Sequence, residues 1–216
     1  MSPLTPDSTL FFLCDIQPKF RPVIYGYEYV IATANKMIKL AKILSCEVVC
    51  TTQVSRVFGP IDPAIDLPSL GSLLIGTWDK TLFSMLIPQV HDLIRARPNV
   101  KSIVIFGIES HICVLQTVLS LVSLPEKYTV YVIADGVSSC NKFEVPIAIS
   151  RMRTEGAVIT TSESFAFQLI RDAAIPEFKA FSTIIKEEKE STKSAGDVLL
   201  LGTSDEPKNQ NIKSSM

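Results

Sequence analysis

Three residues in this chain could together perform nucleophilic chemistry. Cys113 stands in Gly107-Ile108-Glu109-Ser110-His111-Ile112-Cys113, just after an apolar run. That placement puts it in the first turn of a helix that follows a strand and a short turn. Backbone N–H groups and the helix dipole stabilise a thiolate there, and the same N–H groups can hold an oxyanion. A cysteine nucleophile also needs a proton acceptor and a nearby cation. Asp15, directly after the run at residues 9–14, supplies the first. Lys80, in Gly76-Thr77-Trp78-Asp79-Lys80-Thr81, supplies the second. The competing reading of Cys113 is a small packing residue on a buried helix.

The elements that must position these residues follow from hydrophobic patterning. Residues 9–14, 47–52, 102–106, 128–134 and 157–160 are short apolar runs that predict five strands. Val30, Ala34, Met37, Ile38, Ala41 and Leu44 recur at spacings of three and four and predict a helix over 27–44. Further helices are predicted at 88–96, 112–121, 145–153, 163–170 and 177–185. Residues 55–80 hold Gly59, Pro60, Pro63, Pro68, Gly71 and Gly76 and read as a long turn-rich connection. Apolar strands alternating with helices imply a three-layer α/β/α sandwich around a mainly parallel, doubly wound sheet. Ligands in such sheets bind outside the carboxyl ends of the strands, where Asp15 and Cys113 fall.

Composition narrows the function classes. The 216 residues are 47% hydrophobic and 20% charged, enough apolar material for one real core. Basic and acidic residues balance at 21 and 22, which argues against nucleic acid as a partner. No apolar run approaches the length of a membrane helix. Five irregularly spaced cysteines argue against a disulfide framework and for a reducing compartment; Cys14, Cys46, Cys50 and Cys140 read as packing thiols. MSPLTPDSTL carries no basic residue, which disfavours a secretory or transit peptide, and the expected compartment is the cytoplasm. The tripeptide Ser214-Ser215-Met216 is too degenerate to predict peroxisomal import. Residues 187–216 hold six acidic and four basic residues among Ser, Thr, Asn and Gly. They read as a flexible polar tail on a domain of residues 1–186, with 198–201 a docking segment.

LFFLCDIQPKF (10–20), WDKTLFSM (78–85) and GIESHICVLQT (107–117) resemble the isochorismatase-like cysteine hydrolase superfamily, which includes nicotinamidases and N-carbamoylsarcosine amidases. VYVIADGVSS (130–139) and RMRTEGAVITTSES (151–164) extend the likeness, which is strongest to the isochorismatase domain-containing subgroup. The resemblance implies a catalytic triad of Asp15, Lys80 and Cys113. It also implies a cis peptide between Ile108 and Glu109, an oxyanion hole from the N–H groups of Glu109 and Cys113, and a homo-oligomer. The implied reaction is hydrolysis of an amide-like C–N bond in a small molecule. Nicotinamidases carry metal-binding Asp and His residues after the second strand. Thr51-Thr52-Gln53-Val54-Ser55-Arg56 has neither, so no metal or other cofactor is predicted and nicotinamidase activity is disfavoured. Isochorismatases lack the cysteine, so Cys113 argues against that reaction too.

Gln17 and Phe20 share the loop of Asp15 and are predicted to line the pocket. Trp78 either stacks on a flat substrate or covers the core. His111 shapes the entrance or caps the helix. Glu109 either recognises a donor on the substrate or caps the same helix. The alternative to an enzyme is a scaffold that keeps the fold and does little chemistry, with nucleic-acid processing a distant third.

Overall fold

In the run Thr9–Cys14 the side chains of Leu10, Phe12 and Cys14 point to one side and those of Phe11 and Leu13 to the other, as a strand's two-residue period requires. All six residues are buried, so both faces of this strand must be covered. The computed structural model, which describes residues 4–203, shows how. Strands β1 (Thr9–Cys14), β2 (Val48–Gln53), β3 (Leu74–Lys80), β4 (Ser102–Ile108), β5 (Thr129–Ser138) and β6 (Val158–Thr160) form one sheet. Its order is β3-β2-β1-β4-β5-β6, and every adjacent pair is parallel. Helices α1 (Tyr27–Ile43), α2 (Ser55–Phe58), α3 (Pro88–Arg95), α4 (Leu115–Val122), α5 (Glu144–Thr154), α6 (Ser162–Ile170), α7 (Phe178–Glu187) and α8 (Lys189–Ala195) complete the elements. The expected doubly wound α/β/α sandwich is present.

Two cores result, one on each face. Phe11, Leu13, Val104, Phe106 and Ile133 pack against α1, α6 and α7, with Phe165 edge-on to Phe11 at 5.9 Å. Leu10, Phe12, Ile103, Ile105 and Val132 pack against α3, α4 and α5. Each fully buried Phe or Leu stabilises the fold by about 1.5–3 kcal/mol.

The sheet corrects the sequence reading at one edge. β3 falls inside the segment expected to be a turn-rich connection. As an edge strand it pairs only with β2 and stays partly exposed. It therefore lacks the continuous apolar run of the central strands.

A second correction concerns residues 187–203. α8 and a following π-helical turn, Gly196–Leu200, pack on the main body and bury Ala195, Val198 and Leu199. Lys36, at 2% exposure, donates to Thr192 Oγ1 (2.8 Å) and Ser162 Oγ (3.2 Å), and Tyr25 donates to the Val198 carbonyl (2.9 Å). The domain boundary expected at 186/187 therefore does not hold for this stretch. Three scattered apolar residues, Ala195, Val198 and Leu199, seat a segment that is polar on average. The remainder of the expected tail, including Ser214–Met216, lies outside the described residues. Among the described residues no helix is long and apolar enough to cross a membrane.

Candidate active site

From β1 the sheet order runs outward through β2 and β3, and from β4 through β5 and β6. The direction of winding reverses between β1 and β4, which leaves a crevice at their carboxyl ends. Cys14 and Gly107 are register partners at that point. Gly107 has φ +124°, and a Cβ there would lie 2.1 Å from the Cys14 carbonyl oxygen. The two strands can approach only because this residue is glycine.

Asp15 follows β1 with φ +50°, in the left-handed region that few non-glycine residues enter. Its Oδ1 accepts from Thr51 Oγ1 (2.8 Å), and its Oδ2 accepts from Lys80 Nζ (2.6 Å). Lys80 ends β3. Its ammonium also donates to Gln53 Oε1 (2.6 Å) and to the carbonyls of Phe83 (2.9 Å) and Leu82 (3.1 Å). Both side chains of the ion pair are at most 1% exposed. Burial pulls the Lys80 ammonium toward neutrality, but Cys14, Asp15 and Cys113 around it hold its pKa above the ordinary lysine value.

Cys113 sits in a π-helical turn, Ser110–Val114, that leads into α4. Such turns are frequent at functional sites. Its carbonyl accepts from Thr117 Oγ1 (2.6 Å), and that hydroxyl in turn accepts from Met85 N–H (2.8 Å). This ties the cysteine turn to the segment after β3. The Cys113 Sγ lies 4.0 Å from Gln53 Oε1. The Cys14 thiol packs beside Cys113; burial, Cys113 and Asp15 hold its pKa well above the ordinary thiol value against the pull of Lys80. The peptide bond between Ile108 and Glu109 is cis.

A cavity of about 150 Å³ opens at this point. Asp15, Gln53, Glu109 and Cys113 supply its polar groups; Phe20, Phe58, Phe83, Ile108 and Ile112 wall it. The Phe20 and Phe58 rings stack at 4.5 Å. Phe20, expected from sequence to line a pocket, is one of the residues walling this cavity.

Gln17 does not line the cavity. It is fully buried, accepts from Gln53 N–H (2.8 Å) and donates to the Gln53 and Gly59 carbonyls (3.1 and 2.6 Å). It braces the Asp15 loop against the end of β2. Trp78 also lies outside the cavity wall. It packs on the second core and covers Gly76, where a Cβ would fall 2.7 Å from the indole. His111 stands beside the cavity with Nδ1 2.9 Å from Ser139 Oγ. Glu109 lines the cavity while accepting from Cys140 N–H (2.8 Å). Gln53, Phe58, Phe83 and Ile112 were not singled out from sequence. Nothing in the sequence around Gln53 marks it, because its role comes from its pairing with Lys80 across β2 and β3.

The fold is a doubly wound parallel α/β sandwich, and at its switch point a buried carboxylate–lysine pair lies beside a cysteine. Residues 9–164 match the family described as Isochorismatase domain. The chain is 41% identical over 185 residues to the secreted isochorismatase effector Isc1 of Phytophthora sojae, covering 85% of this chain and 87% of that one. It is 38% identical over 182 residues to isochorismatase domain-containing protein 2 of Bos taurus, covering 84% and 85%. Among solved structures, the MAR1 ribonuclease of Caenorhabditis elegans superposes with a TM-score of 0.73 at 30% identity, covering 98% of each chain. The chain belongs to the isochorismatase family, which supports a hydrolase-type function.

Proposed function

We propose that this chain is a cysteine hydrolase that cleaves an amide-like C–N bond of a small metabolite. The observation that carries the reading is convergence. Asp15 and Cys113 line one cavity, and Lys80 is bonded to Asp15 at 2.6 Å directly behind it. Asp15 takes the Cys113 proton, and the thiolate attacks the carbonyl carbon. Lys80 stabilises the negative charge that passes between carboxylate and thiolate. The N–H groups of Glu109 and Cys113 receive the oxyanion. The C–N bond breaks, and the proton on Asp15 leaves with the amine. Water, deprotonated by Asp15, then hydrolyses the thioester; the acid departs, and the thiol regains its proton. No metal ion takes part in these bond-making steps.

The cavity favours a small molecule. Its volume equals that of about five liquid water molecules. Five of its nine lining residues are phenylalanine or isoleucine, and the Lys80 ammonium is already taken by four acceptors. This suits a small amide better than a nucleic-acid backbone, although the Caenorhabditis relative is called a ribonuclease.

Two further readings accompany this one. Phe143, Leu200 and Leu201 are 62%, 41% and 74% exposed around a groove of about 620 Å³, which supports a homo-oligomer. All five cysteines are free, which supports a cytoplasmic, reducing location.

Intact-mass spectrometry after mixing the reduced chain with a panel of small amides tests the hydrolase reading. The expected result is a transient acyl adduct on Cys113 and turnover that Cys113→Ser abolishes. A Cys113 that iodoacetamide alkylates readily, yet that forms no adduct and supports no turnover with any amide, refutes it.

A further inference from the structure

Glu109, His111 and Cys140 come from three places in the chain: the end of β4, the cysteine turn and the residue pair after β5. Each offers one ligand atom, and the three atoms lie within 4.8 Å of one another. A point can therefore be placed within about 2.8 Å of all three. Zinc bonds to carboxylate, imidazole and thiolate measure about 2.0–2.3 Å, so each side chain need close by only about 0.5–0.8 Å. The ligand types are also apt, since carboxylate, imidazole and thiolate are the three side-chain donors that zinc takes.

The surroundings hold this arrangement. The Glu109 and His111 side chains are only 15% and 23% exposed, and their Oε2 and Nδ1 atoms stand 3.9 Å apart. Cys140 N–H donates to Glu109 Oε2 (2.8 Å), which brings the cysteine backbone to the carboxylate. Ser139 Oγ lies 2.9 Å from His111 Nδ1 and 2.5 Å from Ser110 Oγ, so a buried pair of hydroxyls orients the imidazole.

We propose that Glu109, His111 and Cys140 form a three-ligand zinc site at the rim of the cavity, with its fourth position left to water or to a ligand. The site uses none of Asp15, Lys80 and Cys113 as a ligand and does not depend on the hydrolase reading. It also lies far in sequence from residues 51–56, where the absence of metal ligands led to the expectation of no metal. Glu109 belongs both to this site and to the cavity wall. A zinc ion there competes with any substrate group that reads Glu109.

The test uses the full chain, reduced and stripped with a chelator. Zinc chloride is titrated calorimetrically, and cobalt(II) is added separately to follow the thiolate charge-transfer absorption. The expected result is one ion per chain and a charge-transfer band that Cys140→Ser removes while Cys113→Ser retains it. Glu109→Gln, which keeps an acceptor for Cys140 N–H, and His111→Ala should each weaken zinc by about tenfold or more. A readout free of variants accompanies these: zinc should protect Cys140 of the unmodified chain from iodoacetamide. Three results would overturn the proposal: no stoichiometric binding, zinc affinity unchanged in Cys140→Ser, or a band that disappears only in Cys113→Ser.

Discussion

Lys80→Met leaves the Asp15 carboxylate 1% exposed, holding the Thr51 hydroxyl but no ammonium. It also strips Gln53 Oε1 and the Leu82 and Phe83 carbonyls of their donor. Breaking a buried ion pair from one side costs about 3–5 kcal/mol, because an uncompensated charge remains. In a domain of this size that lowers Tm by about 6–20 °C. Asp15→Asn leaves the ammonium facing a neutral amide and should cost a similar amount. The double variant Asp15→Asn/Lys80→Met removes both charges, so its cost should fall well short of the two single costs added together. Urea unfolding of the four proteins, with unchanged slopes, measures this directly. Single costs below about 1 kcal/mol are those of a solvated surface pair. That result, or strict additivity in the double variant, would refute the reasoning that places a dry ion pair behind Cys113.

Further outcomes follow from particular contacts. Gly107→Ala should destabilise by more than about 4 kcal/mol and abolish Cys113 reactivity, since its Cβ meets the Cys14 carbonyl oxygen at 2.1 Å; near-normal urea unfolding would contradict this. Leu199→Ala should cost about 2–5 kcal/mol although it lies in a polar stretch, because Leu199 is 7% exposed and packs at the start of α1; a cost within about 0.5 kcal/mol would mean that the segment is unanchored. Burial lowers the Lys36 amine from its ordinary 10.5 despite Asp135, Glu163 and Glu188. The unfolded chain therefore binds more protons between the two values, so wild-type stability should rise relative to Lys36→Met as pH climbs toward 10.5. A difference that is flat or falls in that window would contradict the burial of this amine. Burial and Glu109 push the Cys140 thiol up as well, but it is exposed, so iodoacetamide should label it well ahead of Cys46, which is buried and whose pKa burial and Asp7 push up to about 12; peptide mapping checks this.

What could be read from sequence tracks how many faces an element buries. β1, β2 and β4 are covered on both sides and announced themselves as apolar runs. β3 is an edge strand, and its Gly76, Asp79 and Lys80 carry no such run. Asp15, Lys80 and Cys113 could be singled out because each is a reactive residue type in a short local motif, whatever element carries it. Gln53 was not visible, because its role arises from a pairing: its register partner in β3 is Lys80, and the lysine amine reaches its amide oxygen. Gln17 misled for the converse reason. Neighbouring Asp15 in sequence, it turns to the β2 backbone rather than to the cavity. Residues 189–200 misled because composition averages over positions, whereas docking needs only Ala195, Val198 and Leu199 on one side.

The same register that assembles the sheet also assembles the chemistry. Cys14 pairs with Thr51 on one side and with Gly107 on the other. One residue further along β1, Asp15 meets the Thr51 hydroxyl and, across β2, the lysine that ends β3. One residue beyond Gly107 the chain enters Ile108 and the cis bond to Glu109, both in the cavity wall. A slip of one residue in either pairing would turn every side chain of that strand to the opposite face. Phe11 and Leu13 would then compete for the positions of Phe12 and Cys14, and Asp15 would leave the ammonium. The two cores therefore enforce the register that holds the carboxylate, the ammonium and the thiol together, and a substitution that loosens either core near β1 should reduce Cys113 reactivity before it unfolds the chain.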